Sequence, residues 1–488
     1  MKILLVWPYN QHALDIPETI PLGLGYLAAN LKEPHVASLL DATLDRLAPD
    51  SPEFEQRLAD ENPDVVGVSF WSSNARAVYE SCEVVRRVLP NAVIVFGGPH
   101  ATSYAEREVE QGRCDYALKG DAELSLPLLL DELESPGSVD LAKLSGLVRR
   151  TESGEVLTNE VVFTADLDDL GMVDYDLLRL DDYFEMGYGY RGKAVLNEHL
   201  KSAMMMATRG CPFRCTFCSA PFISGRPLRH HSPRHVADVI QSLYDNQEVR
   251  LVSLGDDQFT LDTTYAREVC EAIVERELEG LVMVTPNGVR MRDSMTTDFL
   301  ALMMRAGWQE LTIAPETGSE RTLDIMQKDL DLGVVGPFVE RCHEVGMKVK
   351  ANFIIGYPGE CPEDILQTAC FIEENDFDNI SVCFFQPLPG TPIFDQLVER
   401  GEIAPDFVPA RYSQLTYTPS GISAEWLCDR FNEILNKFRD SKGWKYQNAR
   451  VGTIRRFEGE EERNVEGSGI LGALPHTVMT KGSAFEPA

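Results

Sequence analysis

Short apolar runs alternate with stretches of helical periodicity through about the first 145 residues of the chain. Apolar runs of roughly four to eight residues are typical of buried strands, whereas apolar positions three and four residues apart are typical of helices. The apolar segments of this series are 3–7, 24–31, 65–70, 75–88, 92–96, 116–118 and 126–133. This alternation predicts a parallel, doubly wound α/β sheet of the Rossmann-like type.

Four loops of this series follow predicted strands, at 8–10, 69–72, 97–100 and 120–123. In open parallel sheets, ligands bind beyond the carboxyl ends of the strands. We therefore expect the four loops to meet at one edge of the sheet and to form a binding site there.

A second alternating series begins at residue 203. Its predicted strands are 203–207, 251–254, 282–284, 310–314, 348–355 and 381–386. A helix is predicted to open at the Ser232 cap and Pro233. About six strand and helix units predict a partial (β/α) barrel of the TIM type. The pattern weakens after residue 394, although it predicts a helix that opens at Ser423 and covers 426–438.

These patterns divide the chain into four predicted parts. They are a doubly wound domain (1–145), an irregular connector (146–200), a partial barrel (201–395), and a small, mainly helical carboxyl-terminal region with a charged tail (396–488).

Composition and charge exclude several classes of protein. Hydrophobic residues make up 44% of the chain, which is ample for buried cores. The net charge of −32 opposes binding to nucleic acid or anionic membranes, which need basic surfaces. No stretch approaches eighteen apolar residues, and the run before Pro8 is too short for a signal peptide. With eleven cysteines and no export signal, we expect a cytoplasmic protein without a membrane span.

Three cysteines, Cys211, Cys215 and Cys218, stand close together, and the next one is Cys270. Three thiolates at this spacing can hold three corners of a 4Fe-4S cube, whereas a structural cluster normally takes four. The triplet therefore favours a cluster whose fourth iron binds a substrate or cofactor. A chance group of reduced cysteines and a partial zinc site are the alternatives, although zinc prefers four closed ligands or three with water.

The segment 207–218, which contains the triplet, resembles the cluster motif of the radical S-adenosylmethionine (SAM) superfamily. The segments 255–260, 314–320, 352–360 and 387–394 resemble strand-end motifs of the same superfamily, in the same order. The SAM contacts that the resemblance implies are Phe217, Asp256, Asp257, Glu316, Ile354 and Gly356. Glu360 stands one place after the position of the expected carboxylate and is not assigned a SAM contact.

The front domain resembles the cobalamin-binding domain that precedes the barrel in one subclass of this superfamily, through segments 21–29, 63–69 and 95–102. The mutase signature Asp-x-His-x-x-Gly is absent, so the resemblance implies cobalamin without that histidine ligand. Trp71 either covers the lower corrin face or packs ordinarily, and His100 either contacts the corrin or caps its turn. The implied cobalamin contacts are Pro21, Leu22, Gly23, Ser69, Trp71, Gly97, Gly98, Pro99, His100, Gly120 and Glu123.

The resemblance implies an enzyme with a 4Fe-4S cluster, SAM and cobalamin as cofactors. We expect a methyltransferase that moves a methyl group from methylcobalamin to an unactivated carbon, or phosphorus, through a 5′-deoxyadenosyl radical. A radical cyclase or rearrangement enzyme is the first alternative, and a non-catalytic cobalamin-binding protein is the second. The expected partners are a small-molecule substrate and an electron donor of the flavodoxin or ferredoxin type. The residues indicate no catalytic acid or base.

Overall fold

The amino-terminal part of the computed structural model is a sheet of seven strands covered by helices. The structure describes residues 1–9, 19–186, 188 and 200–442. The strands are β1 (Lys2–Trp7), β2 (Val36–Asp41), β3 (Val65–Ser69), β4 (Val93–Gly97), β5 (Tyr116–Leu118), β6 (Leu147–Arg150) and β7 (Val156–Thr158), and the helices are α1 (Leu22–Ala29), α2 (Pro52–Glu61), α3 (Ala75–Val88), α4 (Gly98–Glu110) and α5 (Ser125–Glu134). The strand order is β2-β1-β3-β4-β5-β6-β7, and the first five strands are parallel.

Alternate residues of β1 pack into two different cores. Ile3 and Leu5 belong to the core on one face of the sheet, and Leu4 and Val6 belong to the core on the other face. A strand that is covered on both faces reads as a continuous apolar run, which is why the pattern detected it. The predicted doubly wound sheet is confirmed. The pattern missed β2, an edge strand that begins at the exposed Val36.

The segment expected to be an irregular connector begins with two strands of the front sheet. β6 pairs antiparallel with β5, and β7 pairs antiparallel with β6. The sheet therefore extends to Thr158, beyond the boundary expected at residue 145, because strands of four and three residues carry too few apolar positions to be detected. A short helix, α6 (Leu180–Glu185), follows. The division into four parts otherwise stays a prediction, and most of the charged tail lies outside the described residues.

Six parallel strands and their helices form the second α/β unit. The strands are β8 (Ser202–Met205), β11 (Leu251–Leu254), β12 (Val282–Val284), β13 (Glu310–Glu316), β14 (Lys348–Ile355) and β15 (Asn379–Phe384), and a small hairpin of β9 (Thr208–Arg209) and β10 (Arg229–His230) follows β8. The two parallel sheets, β12-β11-β8 and β13-β14-β15, are joined by bridges from Met283 to Trp308 and from Val289 to Ile313. All six strands of the second predicted series are confirmed as parts of an open barrel.

Helices surround this open barrel. They are α7 (Ala220–Ile223), α8 (Pro233–Asn246), α9 (Thr263–Val274), α10 (Thr297–Arg305), α11 (Glu320–Met326), α12 (Val335–Glu344), α13 (Pro362–Glu374), α14 (Pro392–Glu399) and α15 (Ala424–Ser441). Of these, α8 and α15 begin where the sequence predicted helices. The Ser232 and Ser423 hydroxyls cap α8 and α15, as predicted. In α15, Phe431 stacks on Phe384 of β15 with ring centres 4.4 Å apart. None of the described helices combines the length and apolar content that crossing a bilayer needs.

The barrel core is built around Trp308, which is completely buried. Its ring stacks on that of Phe259, with ring centres 5.5 Å apart and 12° between the planes. Phe259 lies in the segment 255–260, which follows β11. The aromatic pair therefore supports a strand-end loop that faces the barrel mouth.

Replacing Trp308 with alanine is expected to lower the free energy of unfolding by about 3–5 kcal/mol, because the change leaves a large cavity beside Phe259. Calorimetric unfolding of the purified protein measures the loss. Trp71→Ala is the matched control, since Trp71 is 49% exposed, and it should change stability by less than about 0.5 kcal/mol. Equal losses in both variants would contradict the buried position of Trp308.

Candidate active site

The three cysteines lie on a loop that a short hairpin closes. β9 pairs antiparallel with β10 and so fixes the two ends of segment 210–228. Inside this segment the Cys211 N–H donates to the carbonyl oxygen of Gly225 at 3.0 Å. Gly210 has a φ of +99°, and a side chain there would meet the Pro227 carbonyl oxygen at 2.2 Å. Because only glycine fits this close crossing, the backbone itself defines the path into the cysteine triplet.

The surroundings of the three thiols fit an iron–sulfur cluster. Burial raises the pKa of Cys211, Cys215 and Cys218, that of Cys218 to about 12. Hydrogen bonds from the backbone at Phe213 and Ala220 lower the pKa values of Cys211 and Cys218 and so favour their thiolates. Three thiolates with hydrogen-bonded sulfur atoms are a suitable ligand set for a 4Fe-4S cluster, and metal binding would displace the thiol protons.

The spacing of the sulfur atoms argues against a single metal ion. In the described part of the chain, one group of three metal-ligating side chains has all its ligand atoms within 4.8 Å of one another, and it contains none of the three cysteines. Three thiolates on one zinc ion, with Zn–S bonds of about 2.3 Å, would lie only about 3.8 Å apart. At least one pair of the cysteine sulfur atoms is therefore more than 4.8 Å apart, which suits a cube that offers one iron to each cysteine.

The compact group consists of Asp168, His231 and His235 and joins the connector to the barrel. His231 Nδ1 lies 3.1 Å from Asp168 Oδ1, which also accepts the Ser232 N–H at 3.0 Å. The two imidazole rings stack 4.3 Å apart with 6° between their planes. The lone pairs of parallel rings lie in separate planes and do not converge on one ion, so this group is a packing contact.

Two cations stand beside the cysteine loop of this acidic chain. Lys328 Nζ lies 2.8 Å from Glu316 Oε1, and the Arg290 guanidinium lies 3.9 Å from the centre of the Phe213 ring. Both cations oppose the effect of burial on Cys215 and lower its pKa. A positive setting favours thiolates over thiols. It would also offset the negative charge of a bound cluster.

Phe217 and Asp257, two of the predicted SAM contacts, lie beside the cysteines. Phe217 belongs to the cysteine loop and packs edge-on against Tyr357, with ring centres 6.2 Å apart. The charge of Asp257 raises the pKa values of Cys211 and Cys218, which shows that its carboxylate is near them. Asp257 Oδ2 is buried without a hydrogen-bond partner in the described residues. A buried, unpaired acceptor of this kind suits a ligand that donates hydrogen bonds.

Glu316, a further predicted SAM contact, is held in a strained conformation at the end of β13. Its φ is +69°, in the left-handed region that costs a residue with a side chain about 1–2 kcal/mol. The pairing of β13 with β14 shifts register between Ile313 and Glu316. The Glu316 charge raises the pKa of Cys215. Strain at a strand end beside the cysteine loop is typical of a functional site.

Asp256 is engaged by the protein itself. Its carboxylate accepts the N–H groups of Ala207 and Thr208, both at 2.8 Å, and the Thr208 hydroxyl at 2.9 Å. Burial raises its pKa to about 7, and the hydrogen bonds act in the opposite direction. Asp256 therefore supports the backbone that leads into the cysteine loop, and its contact with SAM stays a prediction.

Ile354 and Gly356 lie at the exit of β14. Ile354 packs in a cluster with Phe217, and the Gly356 N–H donates to Glu360 at 2.7 Å. Glu360 also accepts the Tyr357 N–H at 2.8 Å, and burial raises its pKa to about 8. Glu360 thus fixes the turn that presents the two predicted SAM contacts.

A cavity of about 200 Å³ opens where loops of the front sheet face the barrel. Seven of the eleven predicted cobalamin contacts line it: Leu22, Gly23, Ser69, Gly97, Gly98, Gly120 and Glu123. A side chain built at Gly23 or Gly97 would meet no atom within 4 Å, so both backbones face open space. The lining fits the edge of a flat macrocycle, although this volume holds part of a cobalamin rather than the whole.

Four predicted cobalamin contacts, Pro21, Trp71, Pro99 and His100, are absent from the lining of this cavity. His100 is buried in the front domain, where its ring stacks on Phe70 at 4.7 Å. Its nitrogens lie 2.9 Å from the Ser72 hydroxyl and 3.2 Å from the Tyr79 hydroxyl. The structure therefore does not bring His100 to the cavity. Of the loop 8–10, Asn10 lies outside the described residues.

The sequence pattern missed the side of the cavity that the barrel supplies. The barrel residues of the lining are Met206, Arg209, Ile223 and Ser224, and the front domain adds Tyr26 and Asp121 to its predicted contacts. Arg209 Nη1 lies 3.1 Å from Asp121 and 2.7 Å from Glu123, so the barrel and the front domain are joined at the cavity wall. The feature of the sequence that could have indicated Arg209 as a site residue is its position two residues before Cys211. Its partners are about 90 residues away in the sequence, where no local pattern indicates them.

Comparison with known proteins agrees with this arrangement. Residues 205–372 match the Radical SAM superfamily, and residues 17–130 match the B12 binding domain. The chain is 27% identical over 407 residues to an uncharacterized methyltransferase of Pyrococcus horikoshii, covering 82% of this chain and 83% of the relative. It is 25% identical over 481 residues to the cytidylyl-2-hydroxyethylphosphonate methyltransferase of Streptomyces wedmorensis, covering 87% and 88%.

Cyclases are also among the relatives. The anaerobic magnesium-protoporphyrin IX monomethyl ester cyclase of Cereibacter sphaeroides is 24% identical over 448 residues, covering 90% of this chain and 70% of the cyclase. Among solved structures, the radical SAM methyltransferase TsrM of Kitasatospora setae has a TM-score of 0.66 at 20% identity, covering 82% of this chain and 76% of TsrM. This likeness shows that the fold is shared.

The barrel with its open cysteine triplet defines a radical SAM enzyme. The front sheet adds a B12-binding domain, whose strand ends face that barrel across one cavity. The chain therefore combines a radical SAM domain with a B12-binding domain, and the cofactors of these two domains are a 4Fe-4S cluster, SAM and cobalamin.

Replacing Asp256 with asparagine is expected to reduce the iron and sulfide bound after anaerobic reconstitution, because an amide cannot accept all three hydrogen bonds below the cysteine loop. A loss of about 1–3 kcal/mol in stability should accompany it. Iron and sulfide analysis with thermal unfolding measures both effects. Asp262→Asn is the matched control, since Asp262 caps α9 and asparagine caps equally well. Full cluster loading of the Asp256 variant would contradict the supporting role.

Proposed function

We propose that this enzyme transfers a methyl group to an unactivated carbon, or phosphorus, of a small-molecule substrate. The observation that carries the proposal is the shared cavity wall: Gly97 and Gly120 of the front domain line the same cavity as Met206 and Arg209, which lead into the cysteine loop. This arrangement brings the cobalamin-binding side and the radical-forming side of the molecule together. When bound, the cluster with SAM supplies a 5′-deoxyadenosyl radical, and cobalamin supplies the methyl group.

The residues of the chain would position the reactants and protect them. Asp257 Oδ2, which has no hydrogen-bond partner among the described residues, and the Glu316 carboxylate would accept hydrogen bonds from SAM beside the cysteines. Leu22, Leu126 and Met206 give the cavity an apolar wall that excludes water. A radical reaction needs such exclusion, since stray hydrogen donors would end it. We assign no acid or base, because hydrogen abstraction by a radical requires none.

A radical cyclisation or rearrangement is the second candidate, favoured by the cyclase relative. Both candidates use the same cluster site and produce 5′-deoxyadenosine. They differ in the fate of the SAM methyl group, which enters the product only in methyl transfer. Isotopic labelling of that methyl group therefore distinguishes the two.

The deciding experiment uses anaerobically reconstituted enzyme with cobalamin, a chemical reductant and SAM that carries a labelled methyl group. We expect the corrin to stay with the protein, the label to reach it, and 5′-deoxyadenosine to form. Cys218→Ala should abolish 5′-deoxyadenosine, because it removes a ligand of the proposed cluster. Formation of 5′-deoxyadenosine without retained corrin would overturn the cobalamin-dependent function. Label that never leaves SAM, with a bound corrin, would favour cyclisation.

We further propose a one-electron donor of the flavodoxin or ferredoxin type and a cytoplasmic location. The donor is supported by a group of arginines around the tip of the cysteine loop, which we call the arginine face: Arg214, Arg226, Arg290 and Arg292. Arg290 stacks on Phe213, and Arg226 donates to the Phe213 carbonyl oxygen at 3.1 Å. Arg214, Arg226 and Arg292 are exposed. In a chain of net charge −32, this face suits an acidic protein that approaches the cluster.

Changing Arg214 and Arg292 together to glutamate is expected to slow reduction of the cluster by flavodoxin at least tenfold at low salt, since steering by charge raises association rates by about 10–1,000-fold. Stopped-flow absorbance of the cluster measures the rate. Reduction by dithionite, a small molecule, should change little. Arg76→Glu is the control, because Arg76 is an exposed arginine of α3 in the front domain. Equal slowing with both reductants would contradict donor docking at the arginine face.

A further inference from the structure

Four charged side chains are buried together where the front domain meets the barrel. Arg209 pairs with Asp121 and Glu123, and Arg229 Nη1 lies 2.6 Å from Asp121. The side chains of all four are at most 11% exposed. Two positive and two negative charges balance, so the group is neutral as a whole. We call these four residues the interdomain ion network.

Arg209 connects three functional elements through this network. It belongs to β9 and precedes Cys211 by two residues. Its two acidic partners lie in the loop 120–123, which lines the cavity. Its guanidinium also lies 4.7 Å from the centre of the ring of Tyr26 in α1, another lining residue. One side chain therefore contacts two walls of the cobalamin cavity and is anchored at the start of the cysteine loop.

Two buried hydrogen-bond donors of the network have no acceptor among the described residues. The Nε atoms of Arg209 and Arg229 are buried and have no hydrogen-bond partner within the described residues. Arg209 itself lines the cavity. A carbonyl oxygen of a ligand, such as an amide on the rim of a corrin, is an acceptor that could pair with Arg209. Such an added partner would reorient the Arg209 guanidinium, because buried charges rearrange together. The backbone of Arg209 continues directly into the cysteine loop.

We propose that Arg209 is a positioning residue that couples occupancy of the cobalamin cavity to the geometry of the cysteine loop. Binding of cobalamin then favours cluster binding, and binding of the cluster favours cobalamin. The two effects must be equal by thermodynamic linkage, and couplings of this kind typically change affinity about 5–150-fold. The inference rests on the two-cofactor function proposed above.

The test measures the dissociation constant of hydroxocobalamin, by absorbance under anaerobic conditions, for cluster-free and cluster-loaded protein. The wild-type protein should bind cobalamin at least fivefold more tightly when the cluster is present. Arg209→Gln should bring this ratio close to one. Arg86→Gln is the matched control, since it removes an arginine from an ion pair with Asp115 that is not part of the cavity wall, and the ratio should be unchanged.

A second variant, Arg209→Lys, covers the case in which the glutamine variant does not fold. Lysine keeps the charge but lacks the guanidinium fork that contacts Asp121 and Glu123 together, so a reduced ratio is expected.

A ratio of one in wild-type protein, or a wild-type ratio in both Arg209 variants, would overturn the coupling. Failure of the proposed function has a different result, namely no cobalamin binding in either state. If Arg209 had a purely structural role, its replacement would raise both dissociation constants by the same factor and leave their ratio unchanged. This result too would overturn the coupling.

Discussion

The buried ion pairs of Arg209 constrain where the two cofactor sites can lie. Separating Arg209 from Asp121 and Glu123 would leave charges unpaired in a low-dielectric interior, at a cost of about 3–5 kcal/mol. Because β9 carries Arg209 and also leads into the cysteine loop, this cost opposes any displacement of that loop from the front domain. The cavity and the cysteines thus keep their relative position through charge pairing in addition to apolar packing.

Two strand-end carboxylates, Asp256 and Glu360, share one role: both accept hydrogen bonds from backbone N–H groups that follow the end of a strand. Where a parallel strand leaves its sheet, the next N–H groups lose their ladder partners and need other acceptors. Asp256 accepts such groups beneath the cysteine loop, and Glu360 accepts them after β14. A carboxylate in a strand-end motif can therefore shape the loop that holds a ligand. Asp257 Oδ2, which is unpaired within the part of the chain that the structure describes, is available to contact the ligand itself.

The sequence predicted those features that depend on local order along the chain. Parallel strands such as β3 lie in the interior and read as apolar runs, and the cysteine triplet is a contiguous motif. The short antiparallel strands β6 and β7 escaped detection, because their stability comes from the pairing of β6 with β5 and of β7 with β6 rather than from their own apolar content. The ion pairs of Arg209 also escaped, since contacts between distant segments leave no periodic signal. His100 lies at a strand end, but Ser72 and Tyr79 hold it in the front domain.

The arginine face must act against the charge of the rest of the molecule. At physiological ionic strength, charges are screened over about 8 Å, so the distant acidic surface exerts little electrostatic repulsion on a protein that approaches the cysteine loop. Arg290 and Lys328 are close enough to lower the pKa of Cys215, and they provide a positive setting for a cluster. The same local charge that would stabilise a bound cluster would therefore also attract the proposed acidic donor. Net charge describes the chain as a whole, whereas local charge at the cysteine loop would determine how the proposed donor approaches it.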